Sequence, residues 1–134
     1  KSEAYDLSNL FRIMFTLELE EKLRQKHYET MAVSCHPGVT LTNLFRFMPK
    51  ILGNSILTKI MNTLVFHTPY KAAMPALMAT TSSNVKGGEF VGLDTKKQFR
   101  GNPKVVRPNQ LACDKSLREI LWRKSVEITG VDLE

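Results

Sequence analysis

From Tyr5 to about Lys26 the apolar residues Leu7, Leu10, Phe11, Met14 and Leu17 recur at spacings of three and four. Glu18, Glu20, Glu21, Lys22, Arg24 and Lys26 supply a wet side. That period predicts an amphipathic helix, and the lack of internal Pro or Gly lets it run for several turns. "TMAVSC" at 30–35 is a short apolar run with β-branched Thr30 and Val33, bounded by "HPG". It predicts a strand buried on both faces that ends in a turn, as in a parallel sheet covered by helices.

Beyond Gly38 apolar residues lie on most sides of "NLFRFMPKILGNSILTKIMNTLVF", which Pro49 and Gly53 interrupt. The pattern predicts two short helices broken at "MPKILGN", with Ile56, Ile60 and Leu64 in one stripe and Leu57, Met61 and Val65 in its neighbour. Thr68 followed by Pro69 is a helix start, N-cap and first helical position. Pro75 should kink that helix or mark its true first turn. "SNVKGGEFVG" reads as a loop into a short strand around Glu89–Val91, and "DTKKQFRGNPKVVRP" as irregular. A last helix starts at Asp114 as N-cap, buries Leu117, Ile120, Leu121 and Ile128, and stops at Gly130. No repeat, low-complexity tract or domain boundary interrupts the pattern. Two strands are too few for a stable sheet, so "TMAVSC" implies strand neighbours in another chain or an upstream segment.

Composition adds limits rather than an activity. The chain has 134 residues, 43% hydrophobic and 24% charged, which indicates one globular domain or part of a larger one. Nineteen Lys and Arg against thirteen Asp and Glu give +6, a balance that favours anionic partners without choosing among them. No acid occurs from residue 31 to residue 87, where Arg46, Lys50, Lys59, Lys71 and Lys86 are the only full charges. The stretch is either buried by chance or a face held at positive potential for a phosphate-bearing ligand or a membrane. These cations are too sparse, and too little interleaved with aromatics, for a nucleic-acid groove. Two cysteines, Cys35 and Cys113, make no disulfide framework, so a reduced, cytoplasmic setting is the simpler expectation. The first ten residues have no apolar core of a signal peptide, and no stretch reaches the roughly 20 apolar residues that span a bilayer. His27, His36 and His67 are isolated from acids at ligand spacing, so His36 is expected to be a satisfied strand-end histidine and Cys35 a small buried residue.

"AYDLSNLFRIMFTLELEEKL…AVSCHPGVTLTNL" resembles the second half of a short-chain dehydrogenase/reductase. That family carries Tyr-x-x-x-Lys at the head of a long helix, usually with Ser just before the Lys, then a strand ending in Pro-Gly-x-x-x-Thr. Tyr5 and Ser8 match, as do Pro37, Gly38 and Thr42. The similarity continues through "TPYKAAMPALMATT", "VKGGEFVG", "FRGNPKVV" and "LREILWRKSVEITGVDL", which look like the retinol-dehydrogenase-like and bacterial oxidoreductase branch. The resemblance implies an α/β fold: the C-terminal half of a doubly wound parallel-sheet (Rossmann-type) domain, three layers α/β/α, with a helical substrate lid over 43–68. It implies that the nucleotide-binding N-terminal half, which would complete the sheet, is not among these residues, since no Gly-rich strand-turn-helix is present.

The resemblance also implies a chemistry. Hydride transfer to a carbonyl leaves an alkoxide that must be protonated, and the reverse reaction needs a base. Tyr5 takes that role, but an unperturbed phenol titrates near 10. The family's lysine, one turn along the helix, supplies the charge that favours the phenolate and bonds the nicotinamide ribose. Here Asn9 stands in its place; an amide can donate to a hydroxyl but carries no charge. Arg12, seven residues beyond Tyr5, is a poor substitute by position. Pro37 ends the strand, Gly38 permits a turn, the backbone around Val39 would hold the nicotinamide carboxamide, and Thr42 would touch the amide or phosphates. The cofactor implied is NAD or NADP, and the partner implied is a small-molecule alcohol or carbonyl substrate. The apolar, acid-free stretch 43–66 suggests a lipophilic one; its other readings are helix core, a dimer contact, or shallow membrane association. A homodimer through the long first helix is expected. The alternative to an enzyme is a catalytically impaired relative, with Asn9 in place of the lysine, that acts as a binding or interaction module.

Overall fold

The computed structural model describes residues 2–39 and 68–133. The two short helices read over 43–66, nearly all of the lid and Thr42 lie outside those residues. In chain order the described elements are α1 (Ser2–Gln25), β1 (Ser34–Cys35), α2 (Pro69–Thr81), β2 (Phe90–Leu93), β3 (Pro103–Val106), a 3-10 helix (Gln110–Cys113) and α3 (Lys115–Thr129). They fall into two compact units. One comprises 1–34, 83–90 and 107–134, the other 35–82 and 91–106.

In the first unit α1 packs against α3 and the 3-10 helix. Met14 and Leu23 from α1, with Ala32, Val85, Phe90, Ala112 and Trp122, form its buried core. Phe15 stacks on Trp122 with ring centroids 5.0 Å apart and an interplanar angle of 20°. The Trp122 indole N–H donates to Asp132 Oδ1 at 3.0 Å, which ties the chain after α3 back onto the helix. Trp122, not the expected aliphatic set, is the anchor of α3: Leu117, Ile120 and Ile128 are exposed. Each aliphatic residue could join the stripe by spacing, but the bulkiest side chain one position along fixes which face turns inward.

The helix ends follow the expected chemistry. Asp114 accepts the Leu117 N–H at 3.1 Å, and Gly130 closes α3 in the left-handed region at φ 68°. Thr68 accepts the Lys71 N–H, with Pro69 in the first turn. Pro75 therefore lies mid-helix, where its ring is fully buried. At the end of α1, His27 adopts φ 58°. The Tyr28 N–H reaches the Leu23 carbonyl and the His27 N–H that of Arg24. This is a Schellman stop made without glycine.

The strand read at 30–35 is two residues long. Ala32 is buried, Val33 and Ser34 are half-buried, and Met31 and Cys35 are exposed, so the run is not covered on both faces. Ser34 N–H bonds the Glu89 carbonyl in the first unit, and His36 N–H bonds that of Val91 in the second. Both partners advance by two, so β1 and β2 run parallel. β2 is buried along its length, and α2 packs on β3 in the second unit. β3 occupies part of the segment read as irregular. It folds back beside β2 through a turn in which Asp94 N–H bonds the Asn102 carbonyl at 3.0 Å and Asn102 N–H bonds Asp94 Oδ1 at 2.9 Å. The order is β1-β2-β3, a small mixed sheet rather than an all-parallel one. Among the described residues no helix is long and apolar enough to cross a membrane.

Candidate active site

The head of α1 carries Tyr5, Ser8 and Asn9 within one turn, because residues three and four apart stack on one side of a helix. Tyr5 is 61% exposed, which leaves its hydroxyl reachable, and Asn9 is half-buried. The Ser8 hydroxyl donates to the Tyr5 carbonyl at 2.7 Å. It therefore serves the helix backbone rather than facing outward as a donor. One turn further on, Ser8, Phe11, Arg12, Phe15 and Thr16 border a groove of about 430 Å³ with Leu121 and Ser125 of α3. Neither Tyr5 nor Asn9 lines it, and Arg12 belongs to this groove.

Pro37, Gly38 and Val39 form one turn in the second unit, directly after β1. Gly38 sits at φ 77°, the left-handed region that favours glycine. Pro37 before such a glycine is the composition of a type II turn. Two bonds fix the turn. Its Gly38 N–H donates to Nδ1 of His36 at 2.8 Å, and its Val39 N–H donates to the Phe99 carbonyl at 2.9 Å. Phe99 lies in the 94–102 turn, most of which is exposed. Gln98 adopts φ 50°, and its carboxamide fills the space above Gly92, where an added Cβ would meet Gln98 Oε1.

His36 is thus the satisfied strand-end histidine that the sequence suggests, with its hydrogen-bond acceptor spent on the chain's own backbone. Desolvation pushes its pKa below the ordinary histidine value. An acceptor Nδ1 also requires the ring to be neutral. The unfolded ring takes up a proton near pH 6.5 while the folded ring resists it. Stability from this bond is therefore full above about 6.5 and is lost as the pH falls through the depressed folded value. An NMR titration should show the imidazole midpoint below 6.5, with the Gly38 amide shift moving in step; a midpoint at or above 6.5 contradicts the geometry. Cys35, expected to be buried, is exposed, and desolvation raises its thiol pKa. At neutral pH it is a protonated, weak nucleophile.

The nicotinamide fit can be judged at the 36–39 turn. A backbone edge just past the carboxyl end of a parallel strand, opened by glycine, suits a flat amide. The Val39 N–H, however, is already bonded to Phe99, so an amide oxygen gains it only when that carbonyl lets go. Sequence reasoning missed Phe99 because its contribution is a main-chain carbonyl in a segment with no period.

Comparison with known proteins places these segments. The chain is 27% identical over 128 residues to human polyprenol dehydrogenase, with 96% of this chain aligned to 36% of that protein. It is 30% identical over 133 residues to mouse retinol dehydrogenase 14, with 98% aligned to 36%. It is 27% identical over 128 residues to the Brassica napus chloroplastic short-chain dehydrogenase TIC 32 A, with 96% aligned to 37%. Over nearly its whole length the chain is similar to short-chain dehydrogenases. No family model matches it. The crystal structure of an uncharacterised Mycobacterium paratuberculosis protein superposes with a TM-score of 0.66 at 24% identity, covering 98% of this chain and 40% of that one. That likeness shows the fold alone. The chain spans just over a third of the length of the short-chain dehydrogenases it matches. Within the family's pattern it keeps Tyr5 and Ser8 and departs at Asn9.

Proposed function

We propose that this chain is part of an NAD(P)-dependent oxidoreductase that interconverts an alcohol and a carbonyl on a lipophilic substrate. The reading rests on one observation. A helix headed by an exposed tyrosine, a strand and a Pro-Gly turn occur in the family's order, within similarity that spans nearly the whole chain. Two of the relatives are named for polyprenol and retinol, which are long apolar alcohols, and this favours an apolar substrate here.

A bound nicotinamide would exchange a hydride with the carbinol carbon. The chain's own groups handle the proton and the binding. The Tyr5 hydroxyl gives its proton to the substrate oxygen in reduction and takes it back in oxidation. Asn9 donates to a ribose hydroxyl without adding charge. The Pro37-Gly38-Val39 turn would border the nicotinamide amide, and the role the resemblance gives Thr42 is contact with the amide or phosphates.

An ammonium one turn from a phenol favours the phenolate, and Asn9 withholds that help. Asn9→Lys should therefore raise kcat/KM near neutrality, by roughly 10²-fold if the cation is worth two pKa units. NADH and NADPH oxidation by the full-length protein, with a panel of long-chain aldehydes, is the measurement. If neither the parent nor Asn9→Lys turns over either cofactor, the enzyme reading fails.

A further inference from the structure

We propose that His36 is a positioning residue for the nicotinamide-facing turn: its imidazole takes the Gly38 amide and so sets the direction of the Val39 peptide unit. The inference rests on the functional reading above for what the turn receives, and on geometry alone for what His36 does.

The bond runs from residue i+2 back to the side chain of residue i. This is the pattern by which asparagine and aspartate side chains close a turn in place of a backbone carbonyl. Pro37 fixes one dihedral between them, and Gly38 supplies the left-handed φ of 77°. Three successive residues are thus constrained by three different devices: a ring, a pyrrolidine and a missing side chain. His36 is itself held, because its N–H bonds the Val91 carbonyl at 2.9 Å. The ring is therefore tethered to the fully buried Val91 of β2 rather than to a loose loop. On the far side the Phe99 carbonyl takes the Val39 N–H. When that carbonyl yields to a ligand, the bond to His36 still holds the turn in shape. Preorganisation of this kind lowers the ordering cost of binding.

Two substitutions separate positioning from bulk. His36→Ala removes the acceptor, and His36→Asn keeps one at the same i to i+2 spacing. Amide hydrogen exchange at Gly38 and Val39 is measured on the protein without cofactor, and NADH affinity by fluorescence titration. His36→Ala should speed exchange at both amides about fivefold and weaken NADH by a similar factor, the scale of one hydrogen bond. His36→Asn should restore both toward the parent. Exchange unchanged by His36→Ala, or His36→Asn behaving like alanine, overturns the proposal. If the parent binds no NADH, the cofactor reading falls, and the exchange comparison alone decides whether His36 shapes the turn.

Discussion

Replacing Tyr5 with phenylalanine should lower kcat by roughly 10²–10⁴-fold while leaving cofactor affinity within about twofold, the range expected when a single proton donor is removed. The substitution deletes one oxygen from a ring that is 61% exposed, so no core contact is lost and folding should be unaffected. Ser8 cannot take over the proton, because its hydroxyl is bonded to the Tyr5 carbonyl. Arg12 has no proton to give near neutrality, since a guanidinium does not deprotonate in proteins. Steady-state turnover of the full-length protein with its best aldehyde is the measurement. A Tyr5→Phe enzyme that keeps more than a tenth of its rate would mean that the proton comes from elsewhere.

The largest stability effect is expected at Arg118. Glu18 is buried on α1, and Arg118 of α3 faces it with Nε 3.7 Å from Glu18 Oε2. Neither atom has a hydrogen-bond partner. Arg118 also bonds Glu21 Oε2 at 3.1 Å, and Lys115 bonds Glu21 Oε1 at 2.8 Å. The bond from Lys115 is the main reason that the Glu21 pKa lies below the ordinary carboxylate value. The pair at Glu18 and Arg118 is charge without full satisfaction, so its net worth is small. Breaking it is costly, because an uncompensated carboxylate stays inside. Arg118→Ala should lower the unfolding free energy by about 3 kcal/mol in urea titrations, with Lys22 at 3.8 Å from Glu18 softening the loss. The double replacement Glu18→Leu with Arg118→Leu should be close to neutral, since matched apolar side chains avoid the desolvation of both charges. A single variant that costs less than about 1 kcal/mol would show that water already reaches Glu18.

The readable parts of this chain were those whose cause is local. Asp114 and Gly130 bracket α3 as their side chains dictate, and Thr68 with Pro69 opens α2, because capping is settled within four residues. The grouping of Tyr5, Ser8 and Asn9 at the head of α1 could be read for the same reason, since they lie within a single turn. Burial was harder, because it depends on what faces the helix. Spacing allowed Leu117, Ile120 and Ile128 into the core, but Trp122 took the inward position by stacking on Phe15, more than 100 residues away in sequence. The third strand had no period to announce it. "PKVV" pairs because the Asp94–Asn102 clamp brings it alongside β2, and that bond is visible only in three dimensions. The bond from the Val39 N–H to the Phe99 carbonyl was hidden for the same reason.

The unit built on α1 closes across great distances along the chain: Lys115 reaches Glu21 over 94 positions, and Arg118 reaches it over 97. On a ribosome the helix is finished long before its partner exists. At 5–20 residues per second, that gap leaves the Met14–Glu18 side of α1 bare for roughly 5–20 s of synthesis. The nascent chain must therefore shelter a half-made interface while the segment between the two helices is being made, and translation speed across that segment becomes a variable in its yield.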